Sequence, residues 1–186
     1  MMKLEISIVL LLCTWTTLGE EFSKLRYFGM DMEEKLNALI NEVRELKRAK
    51  IAFSATLSAS WDSVYFGPHE EATTLVYENV FTNIGNAYDK NTGIFTAPVK
   101  GVYFFNYVVF NAGEKPTGVK LLKNGNLVLA ALDNAPGQDT EDTTSNSVSL
   151  ILEQGDQIKL QLLESRRIYT DAWRRNTFSG HLLFTL

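Results

Sequence analysis

The chain has 186 residues, 45% of them hydrophobic, and a formal net charge of −4. That length holds one domain with an appendage and not two large domains. The balance of apolar and charged residues excludes a disordered polymer and a basic polyanion binder, so nucleic acid is not an expected partner.

Residues 1–19 read as a secretory signal peptide. Lys3 supplies the positive start, residues 6–13 the apolar run, and Thr17 and Gly19 the small residues before a cleavage point near Glu20. The run is shorter than the roughly 20 apolar residues that cross a bilayer, so no membrane span is expected in the mature chain. A signal-anchor is the alternative. Cys13 is the single cysteine and leaves with the signal peptide. A secreted chain without cysteine has no disulfide staple and no covalent link between subunits, so packing must hold it together.

Residues 20–50 change to the period of a helix. Phe22, Gly29, Leu36 and Val43 fall at heptad position a, and Leu25, Met32, Leu39 and Leu46 at d. Such a seam predicts a short coiled-coil neck, with Glu42 and Lys47 placed to pair between chains. An amphipathic helix packed on its own domain is the alternative. Gly29 costs on the order of 1 kcal/mol inside a helix, which predicts a firm helix only from about Asp31.

Residues 51–186 read as strand after strand. Alternation over 51–59 predicts an edge or outer strand. Residues 61–73 read as a loop, 74–81 as one strand, and 88–97 as a tight hairpin turning at Asn91-Thr92-Gly93. Asn124-Gly125 between 119–122 and 127–132 is a hairpin signal, and Glu153 to Asp156 turns between 148–152 and 158–163. Residues 133–144 and 165–176 read as loops. The last strand, 178–186, is expected to carry Phe178, Gly180, Leu182, Phe184 and Leu186 on one face. Eight to ten strands without a helix mean an all-β sandwich or jelly roll.

One strand stands apart. In 102–110 both alternate sets are bulky: Val102, Phe104, Val108 and Phe110 on one side, Tyr103, Phe105, Tyr107 and Val109 on the other. Strand side chains alternate between faces, so this strand needs cover on both. A lone sandwich covers only one face of each sheet. The remaining layer must come from elsewhere in the chain or from another copy of it.

The spacing of Tyr77, Asn83, Tyr88, Phe95, Gly101, Tyr103, Phe105 and Tyr107 resembles the complement C-one-q globular-head domain. Ala52 to Ala55 (AFSA), Asn83 to Asn86 (NIGN), Ser145 to Val148 (SNSV) and the ending from Thr177 to Phe184 (TFSGHLLF) resemble it too, the second and last pointing to the cerebellin-like branch. Tyr77 is a departure, since the family usually has Phe there. The resemblance implies a ten-strand jelly roll related to tumour-necrosis-factor ligands, assembled as a homotrimer, secreted, and not an enzyme. It makes Tyr103, Phe105, Tyr107, Phe178, Leu182 and Phe184 candidates for the core or the threefold contact, and Leu36, Leu39, Val43 and Leu46 the seam of a three-stranded neck. No Gly-x-y run precedes the domain, so no collagen stalk is expected. The cysteines with which cerebellins link trimers are also lacking.

Two loops carry candidate chemistry. Asp133, Asp139, Glu141 and Asp142 offer the hard oxygen ligands that calcium takes, with a solvated loop as the alternative. No other cofactor is suggested. Arg166, Arg167, Arg174 and Arg175, interleaved with Tyr169 and Trp173, could hold an anionic ligand or form a protein hot spot, against a solvated loop with local ion pairs. His69 and His181 stand without a thiol or a nucleophile motif, which argues against catalysis. The function expected is a secreted homotrimeric recognition protein of innate immunity that binds a microbial surface ligand through its loops. The alternative is a cerebellin-like or cytokine-like ligand for a protein receptor.

Overall fold

The computed structural model describes residues 2–48, 50–58, 62–134 and 141–186. Two compact units result, Met1–Lys47 and Arg48–Leu186. The first is one helix, α1, Met2–Arg48. It continues through Gly29, where the interruption expected from that glycine does not occur. Intrahelical Lys24–Glu21 and Lys35–Asp31 pairs, both 2.8 Å, lie on either side of it. Phe22, Leu25, Met32, Leu36, Leu39 and Val43 are all exposed along one seam; the side chain of Leu46 lies outside the described residues. No helix among the described residues is long and apolar enough to cross a membrane.

Among the described residues the second unit holds thirteen strands: β1 Ala52–Thr56, β2 Val64–Phe66, β3 Thr73–Thr74, β4 Asn79–Ile84, β5 Tyr88–Asp89, β6 Ile94–Thr96, β7 Gly101–Ala112, β8 Thr117–Lys123, β9 Asn126–Asp133, β10 Glu141–Leu152, β11 Gln157–Leu162, β12 Ile168–Thr170 and β13 Thr177–Thr185. One sheet has the order β10-β7-β13-β1-β4 and the other β5-β6-β11-β8-β9, with β3 added to β11 and a separate β2-β12 ribbon. This is a jelly-roll sandwich. The turns obey local chemistry. Asn124 (φ 50°) and Gly125 (φ 83°) both take the left-handed conformation that a two-residue hairpin turn requires. At Gly93 a Cβ would collide with the Leu75 carbonyl oxygen, so only glycine fits that turn.

The core is aromatic. Tyr103, Phe105, Tyr107 and Val109 of β7 point inward and are fully buried. Phe53 stacks on Tyr88 at 4.7 Å and meets Phe178 edge-on at 4.8 Å, while Phe95 meets Phe105 at 5.2 Å. Offset and edge-on pairs of this kind add to the burial of the rings themselves. The spaced polar residues close the strand connections. Asn83 donates to the Tyr88 carbonyl at 2.8 Å and accepts the Tyr88 N–H at 3.2 Å. The Tyr88 hydroxyl in turn donates to the Tyr77 carbonyl and accepts the Tyr77 N–H.

Five expectations for the β unit need correction. The loop expected over 133–144 is shorter, since β9 reaches Asp133 and β10 begins at Glu141. β1 is not an edge strand; it pairs with β13 on one side and β4 on the other. Its alternation reflects one buried face, which an inner strand shares with an edge strand. The strand expected over 74–81 is split between the two sheets as β3 and β4. The loops 61–73 and 165–176 contribute β2 and β12, which pair with each other. In β13 the register shifts between Leu182 and Phe184, so Leu182 lies opposite Tyr103 but Phe184 opposite Val102. An extra residue in a strand reverses every face after it, and Phe184, 56% exposed, turns away from the core.

Candidate binding site

The register places Thr56, Ala112, Glu141 and Thr177 at one end of the roll, opposite the end where the chain enters at Ile51. Both chemically suggestive loops meet there, and they are tied to each other. Arg166 Nη1 donates to the carbonyls of Thr117 (2.8 Å) and Asp133 (2.9 Å). Arg167 donates to the Ala112 carbonyl at 2.8 Å and lies 4.0 Å over the Tyr65 ring. Arg175 pairs with Asp171 and, at 3.3 Å, with Glu141, and covers Phe110 at 3.3 Å. Burial disfavours the Arg175 charge, but Asp171 and Glu141 outweigh it and hold the guanidinium firmly protonated. Three of the four arginines therefore fasten the end of the roll.

Arg174 and Trp173 do not. Trp173 is 82% exposed, and Arg174 leans over Phe81 at 5.8 Å. Tyr169 packs on Tyr65 at 5.0 Å and on Phe110 at 5.9 Å, as part of the β2-β12 ribbon. Of the acidic residues, Asp133 is half-buried, Glu141 pairs with Arg175, and Asp142 lies in β10; Asp139 lies outside the described residues. Among the described residues no group of three or more potential metal ligands converges.

Asn176 was not singled out by its sequence, yet it holds this end closed. It is fully buried, its Oδ1 accepts the Phe110 N–H at 2.8 Å, and its Nδ2 donates to the Tyr169 carbonyl at 2.7 Å. It takes over where β13 leaves β7 beyond the Thr177–Val108 pair. An asparagine between Arg175 and Thr177 carries no pattern that marks it beforehand. Phe81 was missed too, because its exposure follows from the register shift of β4 against β1 near Ser54.

A second surface is the outer face of the five-stranded sheet. Val102, Phe104, Asn106 and Val108 of β7 are half-buried there. The paired positions on neighbouring strands are Phe184, His181, Ser179 and Thr177 on β13, and Ile151, Ser149, Ser147 and Ser145 on β10. Ala52 and Ser54 continue two of these rows onto β1, and Ile84 and Thr82 onto β4. His181 is the one titratable residue among these positions, and its ring lies 5.5 Å from Phe104.

The described residues thus form a jelly-roll sandwich with a largely apolar outer sheet face and a loop-built end. Residues 52–183 match the C1q domain, and the chain belongs to that family. It is 34% identical over 143 residues to Caprin-2 of Danio rerio, covering 76% of this chain but 15% of that protein. The globular domain of zebrafish complement 1qA superposes with a TM-score of 0.57 at 20% identity, over 74% of this chain and 100% of that one. Murine APRIL gives 0.57 at 12% identity, over 72% and 99%. Eiger TNF from S. frugiperda gives 0.55 at 10% identity, over 74% and 95%. These structural likenesses concern the fold shared by C1q and tumour-necrosis-factor domains.

Proposed function

We propose that this protein is a secreted homotrimeric recognition protein, joined through the outer face of its five-stranded sheet and through α1. The observation that carries this reading is that sheet face. Val102, Phe104, Val108, Phe184, Ile151 and Ile84 sit on it with small polar residues between them, and no Lys, Arg, Asp or Glu interrupts those rows. Interface cores are depleted in charge in this way. The exposed seam of Leu36, Leu39 and Val43, extended in sequence by Leu46, supports a three-stranded neck. Residues 1–19 act as the signal peptide and leave with Cys13. Recognition then falls to the loops at the end remote from Ile51, where innate-immune binding of a microbial surface is one use. The alternative, a cerebellin-like or cytokine-like ligand for a protein receptor, is favoured by the exposed Trp173 and Arg174, residue types that dominate protein contacts. Calcium at Asp133, Asp139, Glu141 and Asp142 would have to compete with Arg175 for Glu141. Expressing the full chain in cultured animal cells tests the proposal. Protein in the medium should begin near Glu20 by mass spectrometry and sediment as a trimer; retention in the cell or a monomeric mass contradicts it.

A further inference from the structure

The turn from Asp171 to Arg175 is held more tightly than a connecting loop requires. Asp171 is 8% exposed. Its Oδ1 accepts the Trp173 N–H at 3.0 Å, its carbonyl accepts the Arg174 N–H at 3.1 Å, and its other carboxylate oxygen binds Arg175. Arg175 is itself clamped between Glu141 and the Phe110 ring. The turn so fixed displays two side chains that its own packing does not use. Trp173 is 82% exposed, and Arg174, with a left-handed φ of 55°, lies over Phe81, which is 56% exposed.

The local charge balance is uneven. Asp171 and Glu141 are both engaged with Arg175, whereas Arg174 pairs with no carboxylate among the described residues. A cation over an aromatic ring keeps the fork of its guanidinium free for a bidentate acceptor. Because the turn is already rigid, an incoming partner meets Trp173 without the ordering cost of a mobile loop. The carboxylate of the turn is committed internally, which leaves little there to bind the hydroxyls of a neutral sugar.

We infer that Trp173, Arg174 and Phe81 form the anchor point for a protein partner, docking an exposed segment that carries a carboxylate beside an apolar side chain. The carboxylate meets Arg174, and the apolar side chain packs against the Trp173 and Phe81 rings. Trp and Arg at the centre of a contact supply most of its binding energy. This inference rests on the reading of the protein as an extracellular recognition module and names the kind of target that module takes.

The test is selection of random linear peptides displayed on phage against the secreted full-length protein, followed by titration of the selected synthetic peptides. Expected are peptides with Asp or Glu next to Leu or an aromatic residue, binding with a blue shift of tryptophan emission. Trp173→Ser and Arg174→Glu should each weaken binding by about tenfold or more, with circular dichroism and sedimenting mass unchanged. The inference is overturned if no acidic–apolar consensus emerges, or if the selected peptides bind both variants as well as wild type. It is also overturned if a glycan array shows that the same two residues select sialylated or sulfated sugars while peptides do not bind. Sedimentation of the same samples separates the two proposals. A monomeric wild type refutes the trimer and leaves the peptide result standing, whereas a trimer that selects no consensus refutes only the anchor.

Discussion

Replacing Asn176 with alanine should damage the domain more than any change in its flanking arginine pair. The side chain is fully buried and makes two hydrogen bonds, from the Phe110 N–H at 2.8 Å and to the Tyr169 carbonyl at 2.7 Å. Alanine reaches neither group. Both backbone partners would stay inside the roll without a mate, at about 1–3 kcal/mol each. Their sum, roughly 2–6 kcal/mol, is a large part of the about 5–15 kcal/mol that keeps a typical domain folded. Urea denaturation of wild type and Asn176→Ala at equal protomer concentration reads the loss as a shift in midpoint with an unchanged slope. Asn176→Asp sharpens the test. A carboxylate still accepts from Phe110 but faces the Tyr169 carbonyl with no proton to donate, so the loss should be at least as large at neutral pH and should ease on acidification. A loss of less than about 1 kcal/mol for alanine would show that the buried groups find other partners, and the argument from their isolation would fail.

Acid should weaken the opposite end of the roll. Hydrogen bonds from Lys123 and Asn124 and from the Glu153 N–H hold the Asp156 carboxyl down to about 2. The unfolded value is about 3.9, so its contribution is complete above about pH 4 and is lost as pH falls through 2. Wild type should therefore lose stability over that window more steeply than Asp156→Asn in urea melts; parallel curves would contradict the assignment. In the core, the Tyr77 hydroxyl is buried without a partner among the described residues, and burial raises its ionisation far above the usual range. Tyr77→Phe should raise stability by about 1 kcal/mol, and a destabilised variant would mean that the hydroxyl is bonded after all. The Trp173 and Arg174 variants, by contrast, should change binding and leave folding alone.

Much of the scaffold was readable from local chemistry. The Asn124-Gly125 hairpin and the Gly93 turn need backbone conformations that few residues adopt, so their identity in the sequence is nearly diagnostic. The bulk on both faces of β7 raised the expectation of a further layer, and the structure shows which face lies in the core of the single chain: Tyr103, Phe105 and Tyr107 inside, Val102, Phe104 and Val108 outside. Strand neighbours were less legible. Alternation over 51–59 reports one covered face and says nothing about how many strands lie alongside, which is why β1 read as an edge. β2 and β12 have three residues each, too few to establish a period. The site was the hardest to read. Four arginines in one loop suggested a cationic surface, but the carbonyls that occupy Arg166 come from positions 33 and 49 residues away, and the one for Arg167 from 55 residues away. Only the folded chain separates the three arginines that fasten it from the one that faces outward.

We propose that the outer face of the β10-β7-β13-β1-β4 sheet, whose rows from Val102 to Val108 hold no Lys, Arg, Asp or Glu, joins three copies of the chain. Sedimentation velocity of residues 50–186, without α1, tests it most directly, comparing wild type with Phe104→Glu. Phe104 sits mid-face beside His181 and is half-buried in the single chain, so glutamate there is tolerated by the fold but places three charges in the joined interface. Wild type should sediment at three times the protomer mass and the variant at one, with matching circular dichroism. A monomeric wild type, or a variant that remains trimeric, would contradict the account.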